Sequence, residues 1–447
     1  MFMQAIQFNA SIPRYAFGLA AQKISPSILW NGMSCTALRD VPEPTLPNDE
    51  WVKIKTRYGG ICGTDLGTMH LHTSPYLSPL SSFPFTFGHE NVGTLAEVGA
   101  RAGAFQVGER VTVEALLWCK PRGFQDLCRF CARGEINLCE RMNEGALAPG
   151  VQPGFCRDTG GSWSEYYLAH VSQLARIPDN VSDENALLVE PFAVGLHAAL
   201  QYPPRANETV LIMGAGVIGL MMLAALRATG SKANIWVVAR YPFQAAAARR
   251  LGATEIIDGK QDYLADIAKR TDAQILKPII GKRVMYGGGV DVTYECVGSD
   301  ASIDDALRLT RHRGRVVLVG VPGITKQVDW TAIFAKELEV IASYIYNRAE
   351  PYRGEKRAAF DIALEMMAGT TEERVATEPG SVAHSVATHS VATHSVATHS
   401  VATPVVTPLD LSWLITHKFK LNEYARAFEL LGNRGASQAL KAVFEFE

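Results

Sequence analysis

The chain has 447 residues, 47% of them hydrophobic and 20% charged. That is enough apolar mass for sizeable cores and excludes a globally disordered chain. Lys and Arg number 43 against 45 Asp and Glu, a net charge of −2, so there is no electrostatic footprint for nucleic acid or for an anionic membrane face. At about 150 residues per domain the length predicts two to three domains. No apolar run reaches the roughly 18 residues of a spanning helix. The opening segment, MFMQAIQFNASIPRYAFG, lacks a basic stretch followed by an apolar run. No secretory leader is therefore expected, and a cytoplasmic location is. Eight cysteines are too few for a disulfide scaffold, and four of them fall between Cys119 and Cys139, which points to metal.

In chain order, the first 190 residues read as strand and loop, typical of an all-β or α+β region. Trp51–Lys55 and Arg110–Glu114 are β-rich runs between turns rich in Gly and Pro. From Pro204 the character changes. Thr209–Met213 is a continuous apolar run, the pattern of a strand buried on both faces of a parallel sheet. A helix is predicted over Val217–Thr229, then a strand at Ile235–Val238 and a helix over Tyr241–Leu251. Glu255–Asp258, Val290–Tyr294 and Arg315–Val319 read as further strands, the last two separated by a helical pattern over Ala301–Arg311. Alternating strand and helix predicts a doubly wound α/β domain. Residues 381–403 break the pattern, with SVA followed by four copies of His-Ser-Val-Ala-Thr starting at His384, His389, His394 and His399. A period of five matches neither a helix face nor a strand, so the tract reads as a low-complexity surface insert. Four of the chain's eleven histidines lie there, but their spacing fixes no coordination geometry. Folded character resumes at Leu409, with a helix near Leu421–Leu431.

Gly214-Ala215-Gly216-Val217-Ile218-Gly219 follows one of these strands and opens a helix. That context makes it a dinucleotide-binding turn. Gly214 permits the turn, Gly216 lets the backbone approach a pyrophosphate, and Gly219 lets helix and strand pack closely. The helix N-terminus supplies free N–H groups to the phosphates. Twenty residues on, where an Asp or Glu would hold the ribose hydroxyls of NAD, stand Ala239 and then Arg240. A missing carboxylate beside a guanidinium favours a 2′-phosphate, hence NADP over NAD.

Cys119, Cys128, Cys131 and Cys139 form C-x8-C-x2-C-x7-C. Such a set suits a closed four-thiolate structural zinc site. Elsewhere Cys62, Thr64 and Asp65, then His89 and Glu90, then Glu190 offer a thiolate, an imidazole and carboxylates. Each has a plain reading alone: a buried cysteine, a satisfied core histidine, a solvated glutamate. Spacing does not unite them.

The chain resembles the zinc-dependent medium-chain dehydrogenase/reductases, which include alcohol, sorbitol, threonine and glucose dehydrogenases. The matching pieces are GGICGTDL at 59–66, FGHENVGTLAEVG at 87–99, VGERV at 107–111, the cysteine lobe, VEPFAVGLHA at 189–198, GAGVIG at 214–219, VDVTYECVG at 290–298 and KELEVIASY at 336–344. The resemblance implies a GroES-like β-rich catalytic domain over 1–195, with the zinc lobe at about 119–139. It implies a Rossmann domain over 196–345, then a return to the catalytic domain over 346–447 that carries the 381–403 insert. The active site would lie in the cleft between the two domains.

Residue by residue, the resemblance implies that Cys62, His89 and Glu190 hold a catalytic zinc. Glu90 would approach the metal during ligand exchange, Asp65 would orient His89, and Thr64 would pass on the substrate proton. Two zinc ions per chain, a small alcohol or carbonyl substrate and a homodimer or homotetramer are implied with them. Three departures stand out. Gly67 replaces the relay histidine that many members carry, so proton exit is expected through His70, His72 or water. Gln125 stands where the first structural cysteine usually sits, leaving Cys119 farther back. The 381–403 tract has no counterpart. Two competing readings are a zinc-free quinone or enoyl reductase of the same superfamily and a non-catalytic zinc- or nucleotide-binding protein on this fold. The presence of Cys62, His89 and Glu190 weighs against both.

Overall fold

The computed structural model describes residues 1–369 and 407–447. The repeat tract at 381–403 lies outside the described residues. Among the described residues no helix is long and apolar enough to cross a membrane.

Two large sheets carry the chain. In the first, the strand Trp51–Gly60 is central, with Asn91–Val98 on one side and Lys441–Glu445 on the other, both antiparallel to it. Arg110–Val113, Leu174–Arg176 and Ile415–Phe419 extend this sheet, and Tyr166–His170 also pairs with Trp51–Gly60. Val52, Ile54, Leu95, Val111, Val113 and Tyr167 close a core on it. The last strand of the chain therefore pairs with one of the first, Val443 opposite Gly60.

The second sheet is parallel throughout, in the order Glu255–Asp258, Asn234–Ala239, Thr209–Met213, Val290–Glu295, Thr310–Leu318, Glu339–Ala342. Its order reverses between Thr209–Met213 and Val290–Glu295. That switch point opens a crevice at the C-terminal ends of the strands, where doubly wound sheets bind ligands. Val210, Leu211 and Ile212 are fully buried, as their unbroken apolar run predicts.

Several elements differ from the sequence expectation. The first 190 residues are not only strand and loop, since Ile12–Ala21, Gly63–Met69 and Asp183–Leu187 are helical. Ser11 caps the first of these, its side chain accepting from Arg14 N at 3.4 Å. Only Gly18 and Ala21 of that helix are buried, so the apolar stripe that reveals an amphipathic helix is nearly absent. The helix expected over Ala301–Arg311 spans Asp300–Leu309, and Thr310 already begins the next strand. The helix Tyr263–Arg270 and the antiparallel pair Gln274–Leu276 and Val284–Tyr286 add to the expected elements.

The helix Val189–Gln201 packs on Val217–Ala228. Gly195 permits this, because a Cβ there would lie 2.7 Å from the Met221 backbone. One contact thus ties the helix that begins beside Glu190 to the helix opened by the glycine turn.

Candidate active site and metal centres

The site begins at the end of the strand Trp51–Gly60. Cys62 is the N-cap of Gly63–Met69, and Asp65 Oδ2 accepts from Cys62 N at 3.1 Å, as in a capping box. Asp65 Oδ1 then lies 3.3 Å from His89 Nδ1, and both atoms are buried without a full hydrogen bond. His89 is 4% exposed and Asp65 is fully buried. Burial works against charge on His89, but Asp65 and Cys62 outweigh it and hold the imidazole well above its ordinary pKa.

The loop carrying His89 and Glu90 is fixed by its backbone. Gly60 N and Ser162 Oγ both donate to the Glu90 carbonyl, at 3.0 and 2.8 Å. The Glu90 carboxylate lies over Gly60 and forms an ion pair with Lys441, and a side chain at Gly60 would collide with it.

Glu190 arrives from the first turn of Val189–Gln201 and is 5% exposed. Burial first, then the neighbouring carboxylates Glu90 and Asp65, push its pKa up to about 7 against the pull of His89 and Lys441. Both Cys62 and Glu190 act electrostatically on His89, which draws the half-buried thiol and the buried carboxyl to one imidazole, although they lie 128 residues apart in sequence at the extremes. A half-buried thiol with a buried imidazole and a buried carboxyl, beside orphaned polar atoms, is a donor set that fits zinc with an open position. The Thr64 hydroxyl beside them is also buried without a partner.

The four cysteines of the lobe are gathered more tightly. Their ligand atoms all lie within 4.8 Å of one another, and all four side chains are buried. Among the described residues this is the one set of donors that compact. Cys119 joins it despite its longer spacing, with its Sγ 3.7 Å from Cys139 Sγ. Hydrogen bonding from Cys131, above all, pulls the Cys139 thiol down to about 6, while burial pushes Cys119 up to about 11. Protons are shared unequally among thiols that a divalent cation would deprotonate together. The longer spacing has its own structural use. Arg122, 1% exposed, donates to the carbonyls of Leu117, Glu144, Leu147, Ala148 and Gly150 and so knits the lobe.

The glycine turn has the geometry its sequence predicts. Gly214 has φ +96°, which L side chains rarely adopt, and a Cβ there would lie 2.5 Å from Val297 Cγ2. Gly216 caps Val217–Ala228 and faces open space, with nothing within 4 Å of an added Cβ. Val217 and Ile218 form the first helical positions. Ala239 ends the strand Asn234–Ala239 and is 4% exposed, whereas Arg240 is exposed. Sequence reasoning missed Lys260. The adjacent strand Glu255–Asp258 delivers it to the same corner, where its ammonium sits 4.9 Å from the Tyr241 ring centre, with the Arg240 guanidinium 6.0 Å away on that ring. The signal was a lysine two residues past a parallel strand, legible only once strand order is known.

The sequence matches the family model for the alcohol dehydrogenase GroES-like domain over residues 48–179 and the model for zinc-binding dehydrogenase over 217–364. Sorbitol dehydrogenase of Bacillus subtilis (strain 168) is 33% identical over 317 residues, 70% of this chain and 80% of that protein. The chain belongs to the zinc-dependent medium-chain dehydrogenases. L-threonine 3-dehydrogenase of Marinomonas sp. (strain MWYL1) is a second member, 28% identical over 397 residues, 89% of this chain and 93% of that protein. Among solved structures, 2R,3R-butanediol dehydrogenase from Bacillus subtilis superposes with a TM-score of 0.66 at 24% identity, covering 100% of both chains. A Sinorhizobium meliloti 1021 protein crystallised with NADP gives 0.66 at 23%, again over 100% of both. These two likenesses show the shared fold. As a medium-chain dehydrogenase the protein is an oxidoreductase, and its architecture is a GroES-like β-rich unit joined to a Rossmann sheet.

Proposed function

We propose that this medium-chain dehydrogenase oxidises an alcohol or polyol, or reduces the matching carbonyl, by hydride exchange with a nicotinamide dinucleotide. Cys62, His89 and Glu190 hold the catalytic zinc, and Cys119, Cys128, Cys131 and Cys139 hold a structural one. The observation that carries this reading is the burial of His89 and Glu190 beside the half-buried Cys62 and the unpartnered Thr64 hydroxyl. Zinc held by these residues would supply acidification of an alcohol hydroxyl at neutral pH, and a bound nicotinamide would supply the hydride acceptor.

The chain's own residues do the rest. Thr64 Oγ1 accepts the hydroxyl proton of the substrate. Asp65 fixes the His89 ring and, through Cys62 N, the helix that presents Thr64. Glu90 stays paired with Lys441 in the resting site. Nothing lies within 4 Å of where a side chain at Gly67 would begin, so water in that space carries the proton outward past His70 and His72. Those two rings stack at 5.9 Å.

The cofactor in this reading is NADP rather than NAD. Ala239 offers no carboxylate to repel a 2′-phosphate, and Arg240 and Lys260 flank Tyr241 at the ribose corner. The relatives named for sorbitol and threonine support an alcohol substrate class. The same reading divides the chain near residues 195 and 345 and assembles it as a homodimer or homotetramer. A panel of polyols and amino alcohols with NAD and NADP, with and without a zinc chelator, tests it alongside metal analysis. Two zinc ions per chain and chelator-sensitive turnover support the assignment. Full turnover by zinc-free protein refutes it.

A further inference from the structure

Residues 9–35 join two strands, Phe2–Phe8 and Thr36–Pro42, whose ends already pair, Phe8 opposite Thr36. A hairpin needs only about two to five residues there, so the sheet does not account for this segment. It carries the helix Ile12–Ala21 and a turn over Pro26–Leu29. Leu29, Trp30 and Cys35 of the segment are buried in one core with Met69 and Leu71. The segment is therefore laid on the end of the helix Gly63–Met69, which presents Thr64 and Asp65.

That helix ends in a Schellman turn. Leu71 N donates to the Thr68 carbonyl at 3.0 Å and His72 N to the Gly67 carbonyl at 2.8 Å. The left-handed position of such a turn usually belongs to glycine. Here it is Leu71, with φ +60°, a conformation that crowds Cβ against the backbone and persists only where neighbours hold it. Those neighbours come from residues 9–35. Tyr15 Oη donates to the Leu71 carbonyl at 3.0 Å. Gly18 makes room for the Leu71 side chain, since an added Cβ would lie 2.8 Å from Leu71 Cδ1. On either side of Leu71 stand His70 and His72. His70 is half-buried, with the Trp30 ring edge-on at 6.0 Å and the exposed His72 ring stacked at 5.9 Å. Gly323, which follows the parallel-sheet strand Thr310–Leu318, lies by the His72 carbonyl, 3.6 Å from where its Cβ would be. The turn thus touches both halves of the molecule.

We propose that Tyr15 is a positioning residue for proton exit. Its hydrogen bond holds Leu71 in the left-handed turn, and the turn keeps the His70 and His72 rings stacked. His70 lies three residues beyond Gly67 and so on the same face of the helix. A proton that leaves Thr64 Oγ1 for water beside Gly67 passes to one nitrogen of His70, while the other nitrogen gives up a proton toward His72 and solvent. Residues 9–35 then serve the reaction without touching the substrate. This rests on reading His70 and His72 as the exit path.

The test uses Tyr15→Phe, His70→Gln and the double variant of the full chain, read in two ways. The first needs no substrate. In protein carrying 13C-labelled histidine, the Cε1–H signal of His70 is assigned by its loss in His70→Gln. The Trp30 and His72 rings displace this signal from the position of a free histidine, and Tyr15→Phe should move it back. The second reading is turnover of sorbitol with NAD and NADP. Loss of one hydrogen bond in Tyr15→Phe should lower kcat by about two- to tenfold and leave KM little changed. Imidazole added to the buffer should restore most of the loss, which a general weakening of the fold would not allow. The double variant should be no slower than His70→Gln, because Tyr15 acts through that ring. A His70 signal unmoved in Tyr15→Phe, or losses that multiply in the double variant, overturns the proposal. Wild-type kcat in His70→Gln instead refutes the exit path itself, whatever the signal does.

Discussion

Lys441 and Glu90 form a buried ion pair, each side chain 1% exposed, and Lys441 Nζ also donates to the Ile61 carbonyl at 3.1 Å. The pair joins the last strand of the chain to the residue beside His89 and to the residue before Cys62. Lys441→Met strands a carboxylate in the interior, and removing one partner of a buried pair costs about 3–5 kcal/mol. Urea unfolding of Lys441→Met should show a loss of that order. The double variant Lys441→Met/Glu90→Gln should recover most of it, because no charge is left unpaired. A double variant no more stable than the single one would show that the pair's charge is not what holds this corner.

Cys62→Ser should abolish turnover and leave dinucleotide affinity near wild type. The glycine turn that holds the nucleotide belongs to the parallel sheet, and Cys62 stands at the end of a strand in the other. Glu190→Gln removes a carboxylate from the same donor set and should lower zinc content at that site, read by metal analysis of protein purified in parallel. Normal zinc content in both variants would remove these residues from the metal.

The cysteine lobe gives a contrasting expectation. Cys128→Ala or Cys131→Ala should lose one metal per chain and several degrees of melting temperature, with a smaller change in kcat at low temperature. Cys119→Ala should behave the same way, because its sulfur lies with the other three. A Cys119→Ala protein with unchanged metal content and stability would mean that three thiolates suffice. Arg122→Met should destabilise the lobe without changing metal stoichiometry, since five carbonyls lose their donor.

Legibility in the sequence followed the range of each interaction. The glycine turn was readable because its three glycines, the strand before it and the helix after it are contiguous, and the structure has the strand, the tight turn and the helix in that order. The cysteine lobe was readable from composition, although the place of Cys119 needed coordinates. Cys62, His89 and Glu190 were united only by resemblance, because each arrives on a different element and no local period connects them. Lys441 and Lys260 carried no local signal. Strand order puts Lys441 next to Glu90 and Lys260 next to Tyr241. The helix Ile12–Ala21 escaped for a different reason. It buries two residues and rests on its cap, so its faces show little contrast.

The cofactor prediction follows from the ribose corner. Arg240 is exposed and shares the Tyr241 ring with Lys260, so a 2′-phosphate placed there meets two cations, and Ala239 adds no carboxylate. Each charge-assisted contact at a partly exposed site is worth about 1.5–3 kcal/mol, or roughly ten- to a hundredfold in affinity. Arg240→Ala and Lys260→Ala should each raise the KM for NADP and barely change that for NAD. Because both act on one phosphate, the double variant should lose less than the sum of the single losses. Ala239→Asp should reverse the preference, since it adds an acceptor for the ribose hydroxyls and a repulsion toward the phosphate in one step. Steady-state kinetics with both cofactors on these four variants decides the matter. Equal kcat/KM for NAD and NADP in the unmutated protein would refute the preference and leave the dehydrogenase assignment standing.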